Sequence, residues 1–126
     1  ANAGVFDARG TWKTGLAVKG AHPNCAIIDP DAAWDGMAFV LVWHEQIGDG
    51  KKGGAGDLYD VAFATHISPE GKELGPTIRL AGKLEAPACQ VCVGTDGEGT
   101  TLIAYEKHPE KGDVPIKVGF RILITK

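Results

Sequence analysis

The stretch DGMAFVLVWHE, residues 35–45, opens on a tight-turn dipeptide and runs straight into an apolar strand. Successive side chains of a strand alternate in direction. Phe39, Leu41 and Trp43 therefore fall on one side, and Val40 and Val42 on the other. A strand that is apolar on both sides has to be covered on both sides, which is the position of an inner strand in a stack of sheets. Met37–Trp43 is also the longest unbroken apolar run in the chain. It is far short of the ~20 residues that span a bilayer.

The pattern recurs. DGEGTTLIAYEK (residues 96–107) repeats it with Trp43 over Tyr105, and HPNCAII (His22–Ile28) aligns with APACQVC (Ala86–Cys92). The second alignment places Pro23 over Pro87 and Cys25 over Cys89, each 64 residues apart. A further element occurs in VFDARGTW, DVAFATHISPEG and KVGFRILITK, where Phe6, Phe63 and Phe120 are spaced by 57. Loops of unequal length account for the drift between 57 and 64. The chain thus reads as a single all-β unit over 1–126 with internal repeats at about 5–62 and 63–126. In the last two copies, Val61, Phe63, Thr65 and Ile67, and then Val118, Phe120, Ile122 and Ile124, alternate with their neighbours, so each strand is expected to bury that face.

Turn chemistry separates the strands. Asp35-Gly36 and Asp96-Gly97 are tight-turn pairs, Ser68-Pro69-Glu70-Gly71 is a proline-initiated turn, and Gly48–Gly56 reads as a longer surface loop. The order is a Pro-x-x-Ala/Cys strand, an Asp-Gly turn, an LVW-x-E strand, a D-x-Y strand and an SP-x-G-x-x-LG turn. It resembles the blade repeat of secreted bacterial β-propeller proteins with an LVVWED-like strand. The similarity runs from Pro23 onward, through LVWHE (Leu41–Glu45) and IAYEK (Ile103–Lys107); the second copy departs from the acidic ending. The resemblance implies an all-β fold of two tandem blade-like antiparallel sheets. A propeller takes four to eight blades, so two would be closed by oligomerisation or by partner chains, with three copies giving a six-bladed ring. The alternative is a β-sandwich built from the same strands.

Composition bounds the function. The 126 residues are 44% hydrophobic and 23% charged, with a net charge of −3 and the charges mixed along the chain. That is enough for one compact core, and it lacks the basic footprint of a nucleic-acid binder or a polybasic membrane anchor. Eighteen glycines and seven prolines leave few windows for a helix. The opening Ala-Asn-Ala-Gly reads as a mature end left by signal-peptide cleavage, so a secreted or periplasmic location is expected.

Three groups of residues invite chemistry. His22, Cys25, Cys89 and Cys92 supply an imidazole and three thiolates, a set suited to zinc or another thiophilic ion. Residues three apart on a strand point oppositely, so both pairs would need a bulge or turn. Small buried thiols, or a Cys25–Cys89 disulfide, are the other readings. Trp12, Trp34 and Tyr59 fall in or beside turns and are candidates for binding a sugar face or a protein, whereas Trp43 reads as core. Glu45 with Glu106, or Asp35 with Asp96, would be carboxylate pairs if the repeat brought them together. Their places at strand ends and turns favour solvation and turn geometry instead, and His44, His66 and His108 read as surface or core-edge residues. Ser68, the one serine, stands in a turn without a nucleophile elbow. The GDGKKGGAGD loop lacks both the phosphate-loop and the calcium-loop patterns.

The expectation is a non-catalytic binding or assembly module, without a cofactor, that presents loops to a glycan or protein and forms homo-oligomers, trimers first, or hetero-complexes. A metal or redox protein using Cys25, Cys89, Cys92 and His22 is one alternative. A structural subunit of a larger exported complex is the other.

Overall fold

The computed structural model describes residues 2–6, 9–17, 20–22, 25, 27–48, 58–83, 87–109 and 115–125. Among them the chain forms nine strands and no helix. The strands are β1 (Asn2–Phe6), β2 (Trp12–Ala17), β3 (Ile27–Trp34), β4 (Phe39–Gly48), β5 (Leu58–Ile67), β6 (Ile78–Ala81), β7 (Ala88–Thr95), β8 (Thr100–Lys107) and β9 (Lys117–Ile124). They make a hairpin β1-β2, a four-stranded sheet β3-β4-β5-β6 and a three-stranded sheet β7-β8-β9, none closed into a barrel. Every pairing is antiparallel and between strands consecutive in sequence. Of the expected Gly48–Gly56 loop, Gly48 is the last residue of β4, and residues 49–57 lie outside the described residues.

The turns form as their residues dictate. Asp35 Oδ1 accepts the N–H groups of Met37 and Ala38 at 2.8 and 2.7 Å. Asp96 Oδ1 accepts those of Glu98 and Thr100 at 2.7 and 3.0 Å. An aspartate that satisfies the backbone just ahead of it is a turn in itself. After β5, Gly71 N–H donates to the Ser68 carbonyl at 2.9 Å, while Ser68 Oγ accepts from Glu70 and Lys72 N–H at 3.3 Å each.

β4 is covered on both faces, as its sequence requires. Val40 and Val42, with Ala62, Ala64 and Leu80, pack on Ala88, Val91, Ile103 and Tyr105 of the three-stranded sheet. Leu41 and Trp43 join Val61, Phe63 and Ile67 on the other face. Each such side chain fully removed from water contributes about 1.5–3 kcal/mol before its entropy cost, so β4 anchors both clusters.

β9 departs from expectation. Val118, Phe120, Ile122 and Ile124 do alternate, but they are 61, 55, 66 and 69% exposed, an open face rather than a buried one. The reason is register. Phe120 pairs with Ala104 and Ile122 with Leu102, on the side of β8 that looks away from the four-stranded sheet, whereas Ile103 and Tyr105 look towards it. Gly119 stands opposite Tyr105, where a Cβ would collide with the ring, and the Arg121 guanidinium lies 5.9 Å from the ring centre.

The two larger sheets share a register pattern. Each first strand carries a bulge, between Ile28 and Asp31 and between Cys89 and Cys92, with positive φ at Asp29 (46°) and Gln90 (48°). Register then superposes Trp43 on Tyr105, as the sequence suggests, but Ile28 rather than Cys25 on Cys89. It also superposes Phe63 on Gly119, because Trp43 pairs with Phe63 and Tyr105 with Gly119. Phe63 and Phe120, despite their even spacing, therefore lie on opposite faces, since a shift of one residue turns a strand over.

The packing follows from this superposition. The Ile103–Tyr105 face of the second sheet matches the Leu41–Trp43 face of the first, yet it rests on the first sheet's opposite face, that of Val40 and Val42. The sheets are stacked front on back.

Candidate functional site

Glu45 is fully buried where β4 runs under residues 20–22. Its carboxylate accepts the N–H groups of Ala21 and His22 at 2.6 and 3.1 Å and the Trp43 indole N–H at 2.8 Å. His22 Nδ1 lies 3.1 Å from the same carboxylate, and the His22 ring packs 5.6 Å from Phe63. A buried carboxylate needs this many donors to remain in an apolar setting. Its bonds fasten the incoming segment to the strand, so Glu45 is a structural clamp. By register it corresponds to Lys107 of the second sheet, not to Glu106, and does not form an acid pair with Glu106.

A second clamp joins the two sheets at the Asp-Gly turns. Asp35 Oδ2 accepts from Thr125 Oγ1 at 2.7 Å, and His66 Nε2 lies 3.3 Å from the same hydroxyl and 4.0 Å from the carboxylate. Gly99 N–H donates to the Asp35 carbonyl at 2.6 Å, and Thr95 Oγ1 donates to the Trp34 carbonyl at 3.1 Å. Burial alone would raise the Asp35 carboxyl. The donors Ala38, Thr125 and Met37, with the charge of His66, outweigh it and hold the group below its ordinary value. With the threonine hydroxyl directed at the carboxylate, the trio ties the first turn to β5 and to the end of β9 and presents no activated nucleophile. A shallow groove of about 290 Å³ beside it is walled by Met37, Ala38, His66, Leu74, Ile124 and Thr125. Asp96, by contrast, is an exposed turn cap whose carboxyl is lowered by the Glu98 and Thr100 N–H groups, so Asp35 and Asp96 are turn residues and no catalytic pair.

The cysteines are all free, so the Cys25–Cys89 bridge is absent. The bulge that Cys89 and Cys92 would need is present, and Cys25 N–H makes a 3.4 Å turn contact with the His22 carbonyl. Even so, among the described residues His22, Cys25 and Cys92 do not gather with Cys89. Cys89 instead meets Glu106, its register partner, and His108, with one ligand atom of each residue all within 4.8 Å of one another. Glu106 Oε2 and His108 Nε2 are 3.0 Å apart, and His108 N–H donates to the Pro87 carbonyl at 3.0 Å, holding the loop against the start of β7. Burial, then the carboxylates of Asp60, Glu106 and Asp29, push the Cys89 thiol up to about 11.

Compared with known protein families, curated proteins and solved structures, the chain matches none of them. The site is therefore read from its geometry.

Of the aromatic candidates, Trp34 and Tyr59 lie apart. Trp12 and Trp34 are 56 and 41% exposed, and Trp34 stands edge-on to Phe39 with ring centres 5.0 Å apart. Tyr59 packs partly buried against the second core cluster, at the far end of β4 and β5 from the Trp34–Phe39 pair. Trp34 and Tyr59 therefore share no aromatic platform. The larger feature, missed in the sequence, is the open face of the three-stranded sheet. Leu102 and Cys92 extend the four exposed β9 residues across β8 and β7. The signal for it was present in the four alternating apolar residues of β9, but alternation does not say which face meets the neighbouring sheet.

Proposed function

We propose that this chain is a non-catalytic assembly module whose open sheet face packs on a sheet of a second copy. Three copies then close into a ring of six large sheets, in the manner of a β-propeller. The observation that carries this reading is the front-on-back stacking inside one chain. The first sheet's Val40–Val42 face is covered by the second sheet, and the matching face of the second, Leu102, Ala104, Phe120 and Ile122, is left open. A two-layer sandwich turns its apolar faces inward and its polar faces out. Here an apolar face points outwards, as at the unfinished end of a stack, and large contiguous apolar patches mark interaction surfaces. A contact of front on back is heterologous, and heterologous contacts generate rings when the rotation closes. Glycan or protein recognition by Trp12 or Trp34 is not needed for this role.

The test is charge placed on the face. Phe120→Asp and Ile122→Lys sit at exposed positions, so the β-sheet circular dichroism of the chain should persist while the assembly falls to single chains. An assembly unchanged by both substitutions refutes the use of this face.

A further inference from the structure

We propose that Cys89, Glu106 and His108 form a binding site for a zinc-class divalent transition-metal ion. Glu106 stands on the open-face side of β8, opposite Val118, and the three residues come from one chain, so the site stands whether or not copies associate.

The donor set is the first argument. A thiolate, an imidazole nitrogen and a carboxylate oxygen together favour a borderline-soft ion over magnesium or calcium, which prefer oxygen alone. Geometry is the second. Around a tetrahedral zinc, with bonds of about 2.0–2.3 Å, ligand atoms stand roughly 3.4–3.7 Å apart. Glu106 and His108 are already at 3.0 Å and all three atoms lie within 4.8 Å, so side-chain rotation by a fraction of an ångström to an ångström closes the set. The backbone arranges it. Cys89 and Glu106 are direct cross-strand partners on β7 and β8, and the Pro87–His108 bond brings the histidine back beside the cysteine.

Access is the third argument. The three residues are half-buried, so a cation can reach the site and is still partly shielded from water. Three protein ligands leave one position for water or for a group from a docked sheet, as in zinc sites that remain open.

The repeat supplies a contrast. The positions matching Cys89, Glu106 and His108 in the four-stranded sheet are Ile28, His44 and Gln46, which offer no thiolate or carboxylate. The site belongs to one repeat only.

The experiment loads the intact, reduced chain with zinc or cobalt(II), removes unbound ion by gel filtration, and measures bound metal and the cobalt spectrum. One ion per chain is expected, with a thiolate-to-cobalt charge-transfer band. Cys89→Ser should abolish the band. Glu106→Gln and His108→Ala, at partly exposed positions that leave the fold intact, should weaken affinity at least about tenfold, since even outer-shell losses cost that much. The Cys25→Ser/Cys92→Ser double variant should keep both the stoichiometry and the band. Failure of the unaltered chain to retain metal overturns the proposal. So does a full-strength band in Cys89→Ser, unchanged affinity in His108→Ala, or loss of the band in the double variant.

Discussion

Replacing Glu45 tests how residues 20–22 are fastened to the sheet. In Glu45→Ala the Trp43 indole N–H, fully buried with its ring, loses the acceptor it holds at 2.8 Å. An orphaned buried donor costs about 1–3 kcal/mol. The Ala21 and His22 N–H groups, at 2.6 and 3.1 Å from the carboxylate, are only part-buried and can turn to water. Their loss costs about 0.5–1.5 kcal/mol each, the net value of an ordinary bond. The sum is about 2–6 kcal/mol, a large share of the roughly 5–15 kcal/mol by which a domain is stable. Glu45→Gln keeps an oxygen for Trp43 but sets an amide against His22, and should cost about 1–2 kcal/mol. Urea unfolding followed by tryptophan fluorescence separates the two. At a slope of about 2 kcal/mol/M, the alanine midpoint falls by roughly 1–3 M and the glutamine midpoint by less than about 1 M. An alanine variant within about 1 kcal/mol of the parent, or equal to glutamine, refutes the clamp.

Two further outcomes concern the turns where the sheets meet. Gly36 has a φ of +102°, and a Cβ on it would run into the Gly97 carbonyl, whereas Gly97, at +74°, has open space around it. Gly36→Ala should therefore lower stability by at least about 2 kcal/mol and Gly97→Ala by about 1 kcal/mol, the strain alone, as read by thermal or urea melts. Equal losses would contradict the packing of one turn on the other. Asp35, held below its ordinary value, adds stability that is complete above the unfolded pKa of about 3.9 and is lost as the pH falls through the lower folded value. Urea midpoints of the parent should accordingly fall more steeply below about pH 4 than those of Asp35→Asn. Parallel curves would remove the carboxylate from the account.

What was legible in the sequence is what alternation and turn chemistry encode. Phe39–Trp43 announced a strand covered on both faces, and Asp35, Asp96 and Ser68 announced their turns. The fate of β9 was not legible, because its pattern defines an apolar face without saying which sheet lies against it. Matching prolines and cysteines by spacing paired Cys25 with Cys89, whereas the register between strands pairs Ile28 with it. Long-range groupings left no local trace. Thr125 reaches Asp35 across 90 residues, and Cys89 meets Glu106 only through the register of β7 on β8. Glu45 did leave a signal, an acid two residues beyond the tryptophan that ends a wholly apolar run, which reads as a strand end until the residues bonded to it are seen.

The central claim is that the open face is completed by further copies of the chain. The mass of the purified protein in solution, by light scattering or sedimentation, tests it most directly. The account predicts an assembly of three times the 13.2 kDa chain mass. A stable, well-folded monomer across the micromolar range would contradict it.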